Sequence, residues 1–185
     1  MKFFKIIFIT FIFLTCSVKA DLNQNLIKEF EQGGKLIFIR HAYAPGSGDP
    51  NNFNLNDCST QRNLSDRGKK QAKQIGTIFR ENKIEIDEVY SSEWCRCKET
   101  AKIAFANFTT KNFLNSFYSP NYAKNKTKQI KDLMKFVKKN DFEKNIIFVT
   151  HYVLISEVLD YAPSSGEIIV SDKNFNMIGS IVINY

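Results

Sequence analysis

The chain has 185 residues, of which 43% are hydrophobic and 24% are charged. This length and apolar content suit one globular domain and exclude collagen-like, mucin-like and disordered chains. Only two histidines are present, which excludes a His-rich metal site, and the formal net charge is +7.

The first 20 residues have the pattern of a secretory signal peptide. Two early lysines precede an apolar run, Ile6–Leu14, and Val18–Ala20 is suited to cleavage. The run is shorter than the roughly 20 apolar residues that a membrane-spanning helix needs. A membrane anchor and lipidation of Cys16 are the alternatives. We predict removal of residues 1–20, which leaves residues 21–185 as an exported domain, periplasmic or secreted, without stable membrane insertion.

Cleavage at this point also changes the charge of the chain. It removes three lysines and lowers the formal net charge from +7 to +4. Such a mild positive charge does not favour a nucleic-acid or membrane partner. It is compatible with an anionic substrate.

The mature region alternates between helical and strand patterns. Apolar residues at helical spacing predict helices over Leu22–Gln32, Asp66–Glu81, Glu93–Phe105, Thr127–Lys139 and Tyr152–Leu159. Short apolar runs predict strands over Leu36–Ile39, Glu88–Tyr90, Ile146–Val149, Ile168–Val170 and Ile178–Ile183. A weaker extended piece is expected at Asn112–Phe117. Strands separated by helices of this length predict an α/β protein, a three-layer α/β/α sandwich with a mostly parallel central sheet.

Three cysteines remain after cleavage: Cys58, Cys95 and Cys97. In an oxidising compartment, one disulfide and one spare thiol are expected. The bridge joins Cys58 to either Cys95 or Cys97. Zinc binding is the competing interpretation, but the paired spacing of structural zinc sites is missing.

Both histidines directly follow a short apolar strand. His41 comes after Leu36–Arg40, and His151 comes after Ile146–Thr150. The carboxyl ends of parallel strands meet at one edge of a sheet, where open α/β sheets bind ligands. We therefore expect the two imidazoles to converge.

Two arginines accompany them. Arg40 precedes His41, and Arg96 lies near the start of a predicted helix, where backbone amides favour anions. Guanidinium groups present a planar fork to phosphate oxygens. Together the four side chains predict a positive cage for a phosphoryl group.

These segments resemble the histidine phosphatase superfamily, which has the phosphoglycerate mutase-like fold. The resemblance spans residues 36–160 and rests on Arg40-His41-Ala42 in place of the Arg-His-Gly signature, Leu64-Ser65 with Gly68 and Gln71-Ala72, Ser91-Ser92 through Arg96 to Thr100-Ala101, and Thr150-His151. All four segments occur in the order that the family has.

The resemblance implies that His41 is the nucleophile and that Arg40, Arg96 and His151 stabilise charge on the phosphoryl oxygens. It implies no metal and no other cofactor. The chemistry is consistent, because neutral imidazole is a good nucleophile and cations can replace Mg²⁺ electrostatically. We expect a monomeric, exported, metal-independent phosphatase that hydrolyses a small phosphorylated substrate, a phosphomonoester, through a phosphohistidine on His41.

The sequence departs from the family at the proton donor. Family members supply a Glu after the second Arg segment or an Asp directly after the second His. Here residues 102–126 contain neither acid, and Tyr152 follows His151. The loop and turn expected to border the site offer three candidate donors: Asp49, Asp57 and Glu93.

The short separation of the histidines leaves no room for the large helical cap of acid phosphatases and phytases. The loop Ala42–Arg62 is therefore expected to cover the substrate alone, with Arg62, Asp57 and Glu93 as substrate-binding residues. A bridge from Cys58 would hold this loop beside Arg96 and preorganise the pocket mouth.

Three other functions use the same residues. A mutase is disfavoured because export separates it from the glycolytic pool. A phosphohistidine-protein phosphatase fits because an imidazole leaving group depends less on a placed acid. A non-catalytic phosphate-binding module of the cell envelope would have lost turnover together with the proton donor.

Overall fold

The computed structural model describes residues 24–184. The predicted signal peptide, residues 1–20, lies outside this part of the chain. Within residues 24–184, no helix is both long enough and apolar enough to cross a membrane.

Helices and strands alternate along most of the described chain. The strands are β1 Leu36–Arg40, β2 Ile86–Ser91, β3 Thr109–Thr110, β4 Asn145–Thr150, β5 Ile168–Ser171 and β6 Met177–Ile181. The helices are α1 Gln24–Gln32, α2 Asp66–Glu81, α3 Cys95–Phe105, α4 Pro120–Ala123, α5 Lys126–Lys139 and α6 Tyr152–Leu159. Short 3₁₀ turns occur at Cys58–Thr60 and Asn112–Leu114.

The strands form one sheet in the order β3-β2-β4-β1-β5-β6. The pairs among β1 to β4 are parallel, whereas β5 pairs antiparallel with both β1 and β6. Helices α1, α2 and α3 pack on one face, and α5 and α6 pack on the other. The predicted three-layer α/β/α sandwich with a mostly parallel central sheet is confirmed.

Each face of the sheet has its own apolar core. Successive side chains of a strand point to opposite faces. In β1, Ile37 and Ile39 join the core under α1 to α3, while Leu36 and Phe38 join the core under α5 and α6. All six residues of β4 are buried. Burial on both faces explains why β1 and β4 are continuous apolar runs, and it fixes the residues that follow these strands.

The expected extended piece at Asn112–Phe117 is wrong. The short edge strand lies before it, at Thr109–Thr110, and Asn112–Leu114 is a 3₁₀ turn. Gln129 of α5 donates from Nε2 to the carbonyls of Asn112 (3.0 Å) and Asn115 (2.9 Å). These long-range hydrogen bonds hold the segment in a turn, which its apolar composition does not reveal.

Candidate active site

The two histidines meet at the carboxyl edge of the sheet. Strands β1 and β4 are neighbours, and Arg40 pairs with Thr150 in their register. The amide of His41 continues the pairing by donating to the Thr150 carbonyl (2.9 Å). The imidazole centroids of His41 and His151 therefore lie 5.5 Å apart. The predicted convergence is confirmed.

The surroundings of His41 fix its tautomer. Its Nδ1 lies 2.9 Å from the Ala42 carbonyl oxygen, which only accepts, so Nδ1 carries the proton. The Nε–H of Arg96 donates to Nε2 at 3.2 Å. Burial, together with the charge of Arg96, holds the pKa of His41 well below its ordinary value. His41 is thus a neutral imidazole whose Nε2 lone pair faces the guanidinium group.

The tautomer of His151 is fixed through a chain of three side chains. Asn115 accepts at Oδ1 from the Glu93 amide (2.9 Å) and donates from Nδ2 to the Glu93 carboxylate (2.6 Å). Ser92 Oγ donates to the same Oδ1 (3.1 Å). The hydroxyl must therefore accept the hydrogen bond that joins it to His151 Nε2 (2.9 Å), so Nε2 carries the proton. Burial, reinforced by Arg96, lowers the pKa of His151 well below its ordinary value.

Arg96 is the most central cation of the site. It lies in the first turn of α3 and is buried, with 3% of its surface exposed. Its Nη1 and Nη2 bind the two carboxylate oxygens of Asp49, at 2.7 and 3.2 Å, while its Nε donates to His41. Such a bidentate guanidinium pair is among the stronger polar contacts in proteins.

Two further arginines border the same space. Arg40 donates from Nη1 to the Pro163 carbonyl (2.8 Å) and lies over the ring of Tyr152, 5.4 Å from its centroid. Arg62 donates from Nε to the Gly48 carbonyl (2.8 Å). Arg62 therefore fixes the loop after β1 and also adds positive charge beside the histidines.

Asp49 is the acidic member of this cluster. Besides Arg96, its carboxylate accepts from Trp94 Nε1 (3.0 Å) and from the Arg62 amide (3.3 Å). Burial raises the pKa of Asp49, but these hydrogen bonds and the charge of Arg96 outweigh it and bring the pKa below its ordinary value. The carboxylate is therefore ionised in this arrangement.

These side chains line one pocket of about 400 Å³. Its polar lining includes Arg40, His41, Asp49, Arg62, Arg96 and His151. Aromatic side chains form much of the remaining wall: Phe53, Trp94, Tyr118, Tyr122 and Tyr152. Three guanidinium groups, two neutral imidazoles and one carboxylate make a site that attracts an oxyanion and presents a nitrogen nucleophile to it.

Helix α2 docks on the loop that follows β1. The buried Gln71 side chain accepts at Oε1 from the Tyr43 amide (2.9 Å) and donates from Nε2 to the carbonyls of Ser165 (2.7 Å) and Ile183 (2.6 Å). At Gly68, a Cβ would lie 2.0 Å from the Tyr43 oxygen, so only glycine permits this approach. The predicted helix start thus supports the pocket without lining it.

Comparison with known proteins gives one family match and several solved structures of similar fold. The family model described as the histidine phosphatase superfamily (branch 1) matches residues 36–114, which include His41, Arg62 and Arg96. This match covers fewer than half of the 185 residues, and over it the chain is similar to the histidine phosphatase superfamily. The short separation of His41 and His151 fits a protein without a large cap domain inserted between them. Comparison with curated proteins gave no match.

Solved structures share the fold of this chain at low sequence identity. Phosphoglycerate mutase from Thermus thermophilus is 13% identical, with 81% of this chain and 99% of that chain covered and a TM-score of 0.56. The putative phosphohistidine phosphatase SixA from Agrobacterium tumefaciens is 16% identical, with 81% and 99% covered and a TM-score of 0.55. The protein histidine phosphatase SixA complexed with tungstate is 13% identical, with 80% and 96% covered and a TM-score of 0.53.

The structure brings together five of the seven residues predicted for the site and leaves two outside the pocket lining. His41, Arg40, Arg96, His151 and Arg62 line the pocket. Asp57 is exposed and accepts at Oδ1 from the amide (2.9 Å) and hydroxyl (2.7 Å) of Ser59, where it caps a 3₁₀ turn. Glu93 is bound to Asn115. Neither carboxylate lines the pocket, because both are used in local hydrogen bonds.

Sequence reasoning missed Asn115 entirely. Its role depends on the turn at Asn112–Leu114, which the sequence pattern gave as an extended piece. Ser92 belongs to the motif that runs from Ser91 to Ala101. Its hydrogen bond to His151 joins residues 59 positions apart, so the motif alone does not predict it. Ser92 directly follows strand β2 and therefore lies at the same edge of the sheet as both histidines. This position is the sequence feature that indicates a role for Ser92 in the site.

The disulfide joins Cys58 to Cys95 and leaves Cys97 as a free, buried thiol. This resolves the two pairings that the sequence left open. Because Cys95 directly precedes Arg96, the bridge ties the loop containing Asp49 and Arg62 to the start of α3. Burial raises the pKa of Cys97 to about 12, so this thiol stays protonated beside His151. Among residues 24–184, no three His, Cys, Asp or Glu side chains form a group suited to a metal.

Proposed function

We propose that this protein is an exported, metal-independent histidine phosphatase, a phosphomonoesterase that forms a phosphohistidine on His41. The observation that carries the proposal is the state of His41. Its Nδ1–H is bound to the Ala42 carbonyl, and its neutral Nε2 faces the pocket beside Arg96. A nitrogen lone pair held among guanidinium groups suits attack on phosphorus.

The first half-reaction transfers the phosphoryl group to the protein. Nε2 of His41 attacks phosphorus, and the ester P–O bond breaks in line with the new N–P bond. Charge on the phosphoryl oxygens is stabilised by Arg40, Arg62 and Arg96. Each preorganised donor of this kind raises kcat roughly 10²- to 10³-fold.

The second half-reaction transfers the phosphoryl group to water. Water attacks phosphorus, and the N–P electron pair returns to Nε2. His151 adds a hydrogen-bonding imidazole at the same edge of the sheet, with its proton fixed on Nε2 by Ser92. In the neutral ring, Nδ1 of His151 therefore carries no proton. Protonation of Nδ1 would make the ring a further cation beside the phosphoryl group.

The test uses the mature protein in the presence of a chelator. Hydrolysis of 4-nitrophenyl phosphate is measured beside trapping of acid-labile, alkali-stable phosphate on the protein. The chain has only two histidines, so His41→Ala and His151→Ala together locate the label. Binding of tungstate, which the related SixA structure contains, reports that each variant keeps its fold.

We expect turnover and labelling in the wild type and in His151→Ala at a lower rate, and neither in His41→Ala. Label retained in His41→Ala would contradict the assignment of the nucleophile. Tungstate binding without turnover or label in the wild type would favour a non-catalytic phosphate-binding module instead. Loss of turnover in the chelator, restored by a divalent cation, would contradict metal independence.

A further inference from the structure

The pocket contains one carboxylate among its described lining residues, that of Asp49. Departure of an alkyl oxygen from phosphorus needs a proton, and a positioned acid accelerates such a step roughly 10²- to 10⁴-fold. The carboxylates of Asp57 and Glu93 are held elsewhere, by Ser59 and Asn115. Resting on the proposed function, we propose that Asp49 is the catalytic acid and base, which protonates the leaving oxygen and then accepts a proton from the attacking water.

The loop after β1 is built to hold Asp49 in the pocket. Gly48, directly before it, has a φ of +67°, a conformation that favours glycine. Arg62 fixes the turn from two sides, since its Nε donates to the Gly48 carbonyl and its amide donates to Asp49 Oδ1. Trp94 Nε1–H binds Oδ2. The side chain of Asp49 is only 18% exposed.

Asp49 and a phosphoryl group compete for the same donors. Both terminal nitrogens of Arg96 bind Asp49, while the Nε of Arg96 binds the nucleophile His41. A phosphoryl group placed for attack by His41 must take hydrogen bonds from this guanidinium group. Substrate binding therefore withdraws Arg96 from Asp49 and brings a dianion close to it.

Both changes favour protonation of Asp49. Loss of charge-assisted hydrogen bonds removes what stabilises the ionised carboxylate, and a neighbouring anion penalises its charge further. The carboxylate is thus ionised while Arg96 holds it and takes up a proton when substrate displaces Arg96. Binding of the dianion itself prepares the acid that the reaction needs.

The proton balance of the cycle is closed. In the first half-reaction the Asp49 carboxyl proton moves to the leaving oxygen as the P–O bond breaks, which yields the alcohol and a carboxylate. In the second, that carboxylate takes a proton from water as the O–P bond forms and the N–P bond breaks. When phosphate leaves, Arg96 binds Asp49 again and the proton is released to solvent.

The experiment compares two leaving groups in Asp49→Asn. With glycerol phosphate, whose alkoxide leaves poorly, kcat is expected to fall roughly 10²- to 10³-fold. With 4-nitrophenyl phosphate, phosphorylation of His41 needs little proton donation, so a burst of one nitrophenol per protein should precede slow turnover. Asp66→Asn is the matched control, because Asp66 is 96% exposed at the start of α2, and it should behave as the wild type.

Anion binding supplies an independent readout. Because Asn cannot hold Arg96 as an ion pair, Asp49→Asn should bind tungstate several-fold more tightly than the wild type. Calorimetry of tungstate binding in two buffers of different ionisation enthalpy should show proton uptake in the wild type, and less uptake in Asp49→Asn. A carboxylate that only anchored the loop would show weaker tungstate binding when replaced.

The outcomes separate this proposal from the proposed function. Labelling of His41 together with an unchanged rate on glycerol phosphate in Asp49→Asn would overturn the role of Asp49 and leave the phosphohistidine mechanism standing. Equal proton uptake in the two proteins, or parallel losses on both substrates with weaker tungstate binding, would also overturn it. Absence of label on the wild type would instead contradict the proposed function.

Discussion

The two buried imidazoles predict a steep loss of stability between pH 7.5 and pH 5.5. Burial and the charge of Arg96 keep the pKa values of His41 and His151 well below the ordinary value of 6.5. In the unfolded chain both rings regain that ordinary value. As the pH falls through 6.5, the unfolded state therefore binds two protons that the folded state does not bind, and folding becomes less favourable.

The magnitude follows from proton linkage. Each histidine that stays neutral in the folded state contributes about 1.4 kcal/mol per pH unit below its unfolded pKa. Between pH 7.5 and pH 5.5, one such histidine lowers the free energy of unfolding by about 1.4 kcal/mol and two lower it by about 3 kcal/mol. Carboxylates add little in this window, because their ordinary pKa values lie near 4.

Urea unfolding at several pH values measures this loss. Trp94 is the single tryptophan of the chain, it is buried, and its ring packs 5.4 Å from that of His151, so its fluorescence reports the pocket region. Buffers should contain no phosphate or sulfate, because anions that bind the cage would stabilise charged imidazoles. The double variant His41→Asn with His151→Asn is the control.

We expect the wild type to lose about 3 kcal/mol over this pH range and the double variant to lose almost nothing. A wild-type free energy of unfolding that is flat between pH 7.5 and 5.5 would refute neutral, buried histidines. An equal slope in the double variant would assign the effect to other groups.

Three further predictions concern residues that support the pocket. Gln71→Met should lower the free energy of unfolding by about 2 to 4 kcal/mol in urea, because one buried carbonyl and two partly buried backbone groups lose their partner; a loss below 1 kcal/mol would contradict this count. Ser92→Ala should reduce kcat roughly 10- to 100-fold with little change in KM, which is the size of effect seen when a residue that orients a metal-bound histidine is removed. An unchanged kcat would show that the tautomer of His151 does not depend on the Ser92 hydroxyl. Cys58→Ser opens a disulfide with a sequence separation of 37, so it should lower the free energy of unfolding by about 4 kcal/mol in thermal or urea unfolding. It should also raise KM. An unchanged KM would show that the disulfide does not help to shape the pocket.

The parts of the fold that the sequence predicts are those set by local pattern. Strands β1 and β4 are apolar runs because both of their faces are buried, and parallel pairing then puts His41 beside His151. The start of α2 was equally visible, since Ser65 caps it by accepting from the Gly68 amide. These features need only the residues of one element and the topology of the sheet.

The parts that the sequence did not predict depend on contacts between distant segments. Asp57 lies in the expected loop, but its carboxylate caps a 3₁₀ turn and does not line the pocket. Asn115 reaches Ser92 and Glu93 only because α5 holds the preceding turn. Asp49 was one of three equivalent candidates in sequence, and the contacts with Arg96 and Trp94 distinguish it.

Arg96 links His41 to the carboxylate of the site. One guanidinium group contacts both the proposed nucleophile His41 and the carboxylate Asp49, and it is the strongest charge acting on the pKa of each histidine. Its backbone position is fixed by α3 and by the disulfide at Cys95, so its hydrogen bonds can change partner while its place in the site stays constant. In the proposed mechanism, this rigid cation with exchangeable partners couples arrival of the phosphoryl group to release of His41 and of Asp49. This coupling needs the five donors of a planar guanidinium group, which the single ammonium group of lysine cannot reproduce.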